Sequence, residues 1–367
     1  MKRKLVITGL CLFVLLSASL VLRLAATQRS QKFKTTPAPA VRVEPAKESD
    51  VTGKTVAAAR AFLTTLDEAG RAKVSLPFNS EQKTRWSNFP VGMVPRNGVR
   101  WGDLSPAQRE AALKLLATAL SKQGLQKVQE IMEGDEVLKT SGSGGGGPGG
   151  LSFSRDEYYL ALLGTPSLAE PWMIQFGGHH LAINVTIVGK SNVMTPSLPA
   201  AQPAIYKLNG ETVRPLGREN DKSFALINSL DAAQQKQAIL NYQVSDLVLG
   251  PGEDGKTIQP EGIKAGSLNA TQQQMLLDLA HEWVGILNDE AAAAKMAEIR
   301  ANLPETWFAW SGPTTQGSAA YFRIQGPTLL IEYSPQRSRG TGGLDTNHIH
   351  TIYRDPTNDY GEGLVKR

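Results

Sequence analysis

The chain has 367 residues and a formal net charge of +5, and its only cysteine is Cys11. One cysteine excludes an internal disulfide and a thiolate zinc site. Four basic residues lie at the extreme N-terminus (Lys2, Arg3, Lys4 and Arg23), and the rest of the chain carries only about +1. That balance excludes the electrostatic footprint of a nucleic-acid-binding protein.

The N-terminus has the pattern of an export signal. Lys2, Arg3 and Lys4 precede an uncharged apolar run from Leu5 to Leu22. This order is typical of a secretory signal, and the run is also nearly long enough to span a bilayer. Residues 1–26 are therefore either a cleaved signal peptide or an uncleaved anchor. Both alternatives place the remaining chain in the periplasm or outside the cell, with membrane contact only through this segment.

Residues 27–53 are polar and rich in proline and alanine, which predicts a flexible linker before a domain over residues 54–367. Apolar residues from Val56 to Leu66 recur at helical spacing. A second helix is predicted to begin at Ser105, because Pro106 suits the first helical position and Gln108 completes a capping box. A further helix is predicted over residues 126–133.

The glycine-rich run Ser141–Gly150 reads as an insertion, since it lacks the Gly-Lys-Ser/Thr ending of a phosphate-binding loop. A short helix is predicted over residues 155–163. Strands follow at 172–176 and 180–188, with Gly177 and Gly178 forming a tight turn between them. Residues 222–242 and 270–287 are predicted to be helical.

The C-terminal third is different, because short β-rich runs alternate there with Gly, Pro and Ser. The runs cover residues 306–310, 320–324, 328–333 and 349–354. Helices first and strands later predict an α+β fold rather than alternating βαβ units. We expect N-terminal helices to pack on a mostly antiparallel sheet formed by the central and C-terminal strands.

Four of the five histidines fall in two short motifs that are far apart in the chain. One motif holds His179 and His180, and the other holds His348 and His350. On a strand, residues two apart point to one face, so His348 and His350 can reach one ion. Adjacent residues point to opposite faces, so we expect at most one of His179 and His180 to share that ion.

Glu332 is the predicted carboxylate ligand, because a carboxylate in the apolar run 329–333 is costly unless it is paired or binds a cation. Together with the histidines it would suit zinc, iron, manganese or copper. Two alternatives remain open. The histidines could form a metal-free acid/base site, or they could be structural, with Glu332 paired to Arg354 or Arg323.

Arg354 and Asp355 are the predicted catalytic residues beside the second histidine motif. The guanidinium of Arg354 could bind a carboxylate or phosphate of the substrate. The equally weighted alternative is an internal clamp of Arg354 with Asp355 or Asp359.

The two histidine motifs, Phe176–Asn184 and His348–Asp355, together with Asn358–Gly361, resemble the family called domain of unknown function 3500. The resemblance covers most of the chain from about residue 54 onwards. It implies one continuous domain of exported bacterial or fungal proteins, and it implies no activity. The glycine-rich run at 141–150 departs from the family pattern.

The resulting hypothesis is an exported enzyme, either a hydrolase or an oxidoreductase, with a His-rich metal-dependent site that acts on a small molecule or a polymer. The alternative is a metal-free binding or structural protein whose histidines are hydrogen-bonded parts of the sheet.

Overall fold

The computed structural model describes residues 43–140, 153–338 and 341–365. The predicted leader, most of the predicted linker and the glycine-rich run lie outside these residues. Residues 256–259 contain no helix or strand. No helix within the described ranges is both long and apolar enough to cross a membrane.

Helices occupy much of the first third of the described chain. They recur between residues 217 and 301 and again at 362–365. They are α1 (Val51–Thr64), α2 (Glu68–Val74), α3 (Pro106–Ala119), α4 (Lys122–Thr140), α5 (Gly217–Ser229), α6 (Ala232–Ala238), α7 (Ala270–Val284), α8 (Asp289–Ala301) and α9 (Glu362–Val365).

The predicted capping box at α3 is confirmed. The Ser105 hydroxyl accepts from the backbone N–H of Gln108, and the Gln108 side chain accepts from the N–H of Ser105 at 2.8 Å. Asn269 and Gln272 form the same box at the start of α7.

Several element bounds differ from the predictions. The fold begins earlier, since Ala46 is buried and α1 starts at Val51. The region predicted as helix over residues 222–242 is two helices, because Asp231 caps α6 and ends the run. The helix predicted over residues 155–163 is wrong, since most of that segment is a β-strand. A strand buried on both faces loses its alternating pattern, so its sequence does not distinguish it from a helix.

Fourteen strands in the described ranges form two sheets and a hairpin. The first sheet contains β1 (Ser75–Leu76), β2 (Val99–Arg100), β3 (Tyr159–Leu163), β4 (Trp172–Gly177), β5 (Leu181–Val188), β6 (Ser191–Val193) and β7 (Leu198–Pro199). The hairpin is β8 (Tyr206–Leu208) and β9 (Glu211–Val213). The second sheet is antiparallel, in the order β10 (Ile263–Lys264), β11 (Trp307–Ser311), β12 (Tyr321–Gly326), β13 (Leu329–Arg337) and β14 (Leu344–Arg354).

Residues 197–201, here called the connecting segment, lie between the two sheets and bring them together. On one side, β7 pairs with the start of β5. On the other side, Ser197 and Ala201 form bridges with Tyr353 and Ile349 of β14. The beginning of β5 is thereby held beside the middle of β14. Because each histidine motif lies at one of these two places, the segment brings the motifs together.

Each sheet packs against helices through large apolar side chains. Trp101 meets Phe176 of β4 edge-on at 5.8 Å, and Phe224 of α5 meets Trp310 of β11 at 5.0 Å. The indole of Trp283 on α7 donates to the Thr351 hydroxyl of β14 at 2.9 Å. The buried apolar residues join in one cluster. The predicted α+β class, with N-terminal helices and central and C-terminal sheets, is confirmed.

Candidate metal centre

Three histidines from the two motifs converge through the same ring atom. His348 and His350 project from one face of β14, and their Nε2 atoms lie 3.0 Å apart. The Nε2 of His180 lies 3.4 Å from that of His348. His180 is fully buried and His350 nearly so, while His348 is partly exposed. The group therefore has one side toward solvent.

The turn between β4 and β5 aims His180 at this point. Gly178 donates its backbone N–H to the Leu181 carbonyl at 2.9 Å. The backbone carbonyl of His180 accepts from the Ala200 N–H at 2.8 Å. A Cβ on Gly177 would lie 2.3 Å from the carbonyl oxygen of Leu181, so only glycine permits this close turn. His179 and His180 lie in the turn and not on a strand.

The proton position on His180 follows from one neighbour. The Nδ1 of His180 lies 2.7 Å from a carboxylate oxygen of Asp135, which can only accept while Asp135 is ionised. In a neutral His180 ring the proton then sits on Nδ1, and the Nε2 lone pair faces His348. The Nε2 atoms of His348 and His350 are at hydrogen-bond distance, so one proton lies between these two rings. A cation that displaced this proton would bring the Nε2 lone pairs of all three histidines to one point.

The spacing matches a metal centre. Tetrahedral zinc with bonds of about 2.0–2.1 Å has ligand atoms about 3.3–3.4 Å apart. The observed Nε2 separations of 3.0 and 3.4 Å lie close to that edge, and all three atoms fall within 4.8 Å of one another. Three nitrogen ligands with one side partly open would be the arrangement of a catalytic rather than a structural zinc site.

Asp135 supports the trio from behind. Its carboxylate, buried on α4, accepts from His180 and also from the Tyr158 hydroxyl at 2.7 Å. A carboxylate that fixes the tautomer of a ligand histidine is the usual outer partner of a metal site. Burial alone would raise the pKa of Asp135, but His180 and then His179 outweigh it and lower that pKa below its ordinary value.

His350 has its own outer partner, and burial keeps its ring neutral. The side-chain amide nitrogen of Asn88 lies 3.0 Å from the Nδ1 of His350, and a half-turn of the amide would place its oxygen there instead. Burial lowers the pKa of His350 well below its usual value, and His348 adds to the shift. A neutral imidazole is the form that binds a metal.

His179 stands behind the trio. Its ring centroid lies 3.7 Å from that of His180 with the planes tilted by 41°, and 4.6 Å from that of Phe153. Burial lowers its pKa to about 4, and His180 contributes to the shift. Its Nδ1 is 3.7 Å from Asp135. His179 thus joins a second group with Asp135 and His180, and the structure does not place it with His348 and His350.

The structure does not bring Glu332 to the histidines. Its buried carboxylate accepts from the backbone N–H groups of Val248 and Leu249, both at 2.9 Å, and from the Tyr321 hydroxyl at 2.7 Å. Neither histidine group contains it. Burial raises the pKa of Glu332, so these three donors stabilise a costly charge. The sequence correctly indicated that this carboxylate needs partners. Those partners are two backbone N–H groups and a tyrosine hydroxyl of the same chain.

Arg354 lies in the internal clamp. Its guanidinium donates to the Leu249 and Gly250 carbonyls at 2.7 and 2.8 Å, and to Asp254 and Asp359 at 2.9 and 2.8 Å. The side chain is 3% exposed. Four of the five N–H donors of the guanidinium are thus used inside the fold, as in the internal clamp.

Asp355 is paired elsewhere. Lys295 of α8 contacts it at 2.5 Å, and its other oxygen accepts from the Thr357 N–H and hydroxyl at 2.9 and 2.7 Å. The structure therefore groups neither Arg354 nor Asp355 with the histidine trio.

Asp135 and Asn88 are the two site residues that the sequence interpretation missed. Asp135 had a usable signal, since it continues the apolar stripe of Val128, Ile131 and Met132 along α4 at helical spacing. A lone carboxylate on such a stripe requires a partner. Asn88 lies in an irregular loop and had no comparable signal.

The chain belongs to the DUF3500 family, whose model is described as "Protein of unknown function (DUF3500)" and matches residues 48–362. Neither the curated proteins nor the solved structures contain a match to the chain.

We expect Arg354→Met to lower the free energy of unfolding by about 3–5 kcal/mol, because it removes a buried guanidinium and leaves the carboxylates of Asp254 and Asp359 without their partner. The matched control is Arg155→Met, which removes a 3.1 Å pair with Glu133 on the surface and should cost at most about 1 kcal/mol. Urea unfolding of the three proteins measures both changes. Equal costs for the two variants would contradict the internal clamp.

Proposed function

We propose that this member of the DUF3500 family is an exported metal-dependent hydrolase whose ion is held by His180, His348 and His350. The observation that carries the proposal is the convergence of three Nε2 atoms at separations of 3.0 and 3.4 Å. A purely structural trio would need only a hydrogen bond between neighbouring rings, and it would not need three rings turned to one point.

The outer residues support metal binding rather than a metal-free acid/base site. Asp135 fixes the tautomer of His180 so that Nε2 is a lone pair, as a ligand requires. Burial keeps His350 neutral, whereas a metal-free general acid/base works best with a pKa near the working pH. Imidazole ligands suit zinc, copper or iron, and the absence of a carboxylate ligand makes manganese the weakest of the four candidates.

Hydrolysis is the reaction class that this ligand set favours. Three neutral ligands leave a divalent ion with its full charge, and such an ion polarises a carbonyl or phosphoryl group and activates water. The chain's own residues then hold the ion, exclude solvent on the buried side and leave the partly exposed side of His348 for substrate. Oxidation by copper or iron remains the second reading, and no further feature of the trio favours it.

Export is supported by the N-terminal sequence alone. The basic residues before Leu5 and the uncharged run to Leu22 have the order of a secretory signal or anchor. The same pattern implies a periplasmic or extracellular site of action.

We expect the purified chain, after chelation and reconstitution with zinc, to hold one equivalent of metal. His348→Ala should lower the zinc affinity at least 100-fold, because one of three ligands is lost. His281→Ala is the control, since His281 is exposed on α7 and belongs to neither group. Elemental analysis and competition with a chromophoric chelator measure both.

The hydrolase assignment is tested on the same proteins with chromogenic ester and phosphate-ester substrates. Activity that appears with zinc, disappears with chelator and is absent from His348→Ala supports it. Stoichiometric zinc without hydrolysis of any probe would contradict the hydrolase and keep the metal site.

Asp135→Asn should weaken zinc binding about 10- to 100-fold with all three ligands intact, because the outer carboxylate orients His180. Titration of zinc into wild type and variant gives the ratio of their zinc affinities. Circular dichroism checks that both have the same folded fraction. An unchanged affinity would show that Asp135 is only a structural partner of Tyr158.

A further inference from the structure

Arg96 has an unusual set of partners beside the metal centre. Its guanidinium donates to the carbonyls of Ser87 at 2.7 Å, Phe89 at 2.6 Å and Gly178 at 2.8 Å, and to that of Val94. No carboxylate within the described ranges forms an ion pair with it. Burial lowers the pKa of Arg96 to about 10. The positive charge is therefore held by carbonyl dipoles alone.

These carbonyls belong to the two chain segments that flank the histidines. Ser87 and Phe89 are the neighbours of Asn88, whose amide contacts the Nδ1 of His350. Gly178 directly precedes His179 and His180 in the turn that aims His180. One guanidinium thus ties the loop behind His350 to the turn behind His180.

Of these contacts, the one between Asn88 and His350 bears directly on a proposed metal ligand. When Nε2 of His350 binds an ion, its Nδ1 carries the proton and needs an acceptor. A half-turn of the Asn88 amide presents its oxygen to that proton without changing the shape of the side chain. The position of Asn88 depends on the backbone on either side of it, and Arg96 holds both of those residues.

We propose that Arg96 is a positioning residue of the metal centre, which acts through Asn88 to orient His350 as a ligand. The proposal rests on the metal site proposed above. Loss of Arg96 releases the loop, and His350 then loses its outer partner although all three ligands remain. Outer-partner losses at metal sites cost about 10- to 100-fold in affinity.

The direction of the change in zinc affinity distinguishes a positioning role of Arg96 from an effect of its charge. If Arg96 acted only through its positive charge, its removal would tighten zinc binding, because two like charges would no longer repel each other. Positioning predicts the opposite, a weakening. The carbonyls of Ser87, Phe89 and Gly178 all contact one nitrogen of Arg96, and the ammonium of Arg96→Lys has three N–H donors for them, so Arg96→Lys should keep more zinc affinity than Arg96→Met.

The experiment is a double-mutant cycle in zinc affinity with Arg96→Met, Asn88→Ala and the double variant, measured on the full chain by chelator competition. We expect each single variant to lose about 10- to 100-fold, and the double variant to lose little more, because both act through one contact. Arg100→Met is the matched control. Arg100 pairs with Asp103 and Glu157 and contacts neither histidine group. The zinc affinity of the Arg100→Met variant should equal that of wild type.

The Arg96→Met variant is also followed by urea unfolding, so that zinc affinity is compared only among folded proteins. Unchanged or tighter zinc binding by folded Arg96→Met would overturn the positioning role, as would fully additive losses in the cycle. Absence of zinc binding by wild type would instead overturn the metal site and this inference with it. If Arg96→Met does not fold, Asn88→Ala and Asn88→Asp decide, since Asn88→Asp restores an acceptor and should recover the affinity that Asn88→Ala loses.

Discussion

The contact between Asp135 and His180 governs the chemistry of the histidine trio. A buried carboxylate 2.7 Å from Nδ1 fixes the proton of His180 on that side and turns the Nε2 lone pair toward His348. With its Nε2 unprotonated, His180 turns an electron pair toward the rings of His348 and His350, and a cation is the partner that would accept electron pairs from all three.

The fold supplies the proximity that this chemistry needs. The connecting segment at residues 197–201 pairs with β5 on one side and bridges to β14 on the other, so that two motifs about 170 residues apart meet at one place. The histidines of β14 share a face because of strand periodicity, whereas His180 arrives through a turn. Buried charges elsewhere, at Glu332 and Arg354, are satisfied within the fold and stabilise the sheet beside the site.

The sequence predicted what depends on local periodicity and composition. The α+β class, the cap at Ser105 and the shared face of His348 and His350 follow from such patterns. The strand β3 was missed because a strand buried on both faces shows no alternation. The roles assigned to Glu332 and Arg354 depended on partners such as Leu249 and Gly250, whose backbone groups carry no sequence signal. Asp135 could have been found as a charge on an apolar helical stripe, whereas Asn88 could not.

The proposed ion would lie among the three Nε2 atoms. An anomalous difference map from zinc-loaded crystals tests this position most directly. We expect one peak with His180, His348 and His350 each bonded through Nε2 at about 2.0–2.1 Å. An intact trio with no peak, or a peak held by other residues, would contradict it and leave the histidines as hydrogen-bonded parts of the fold.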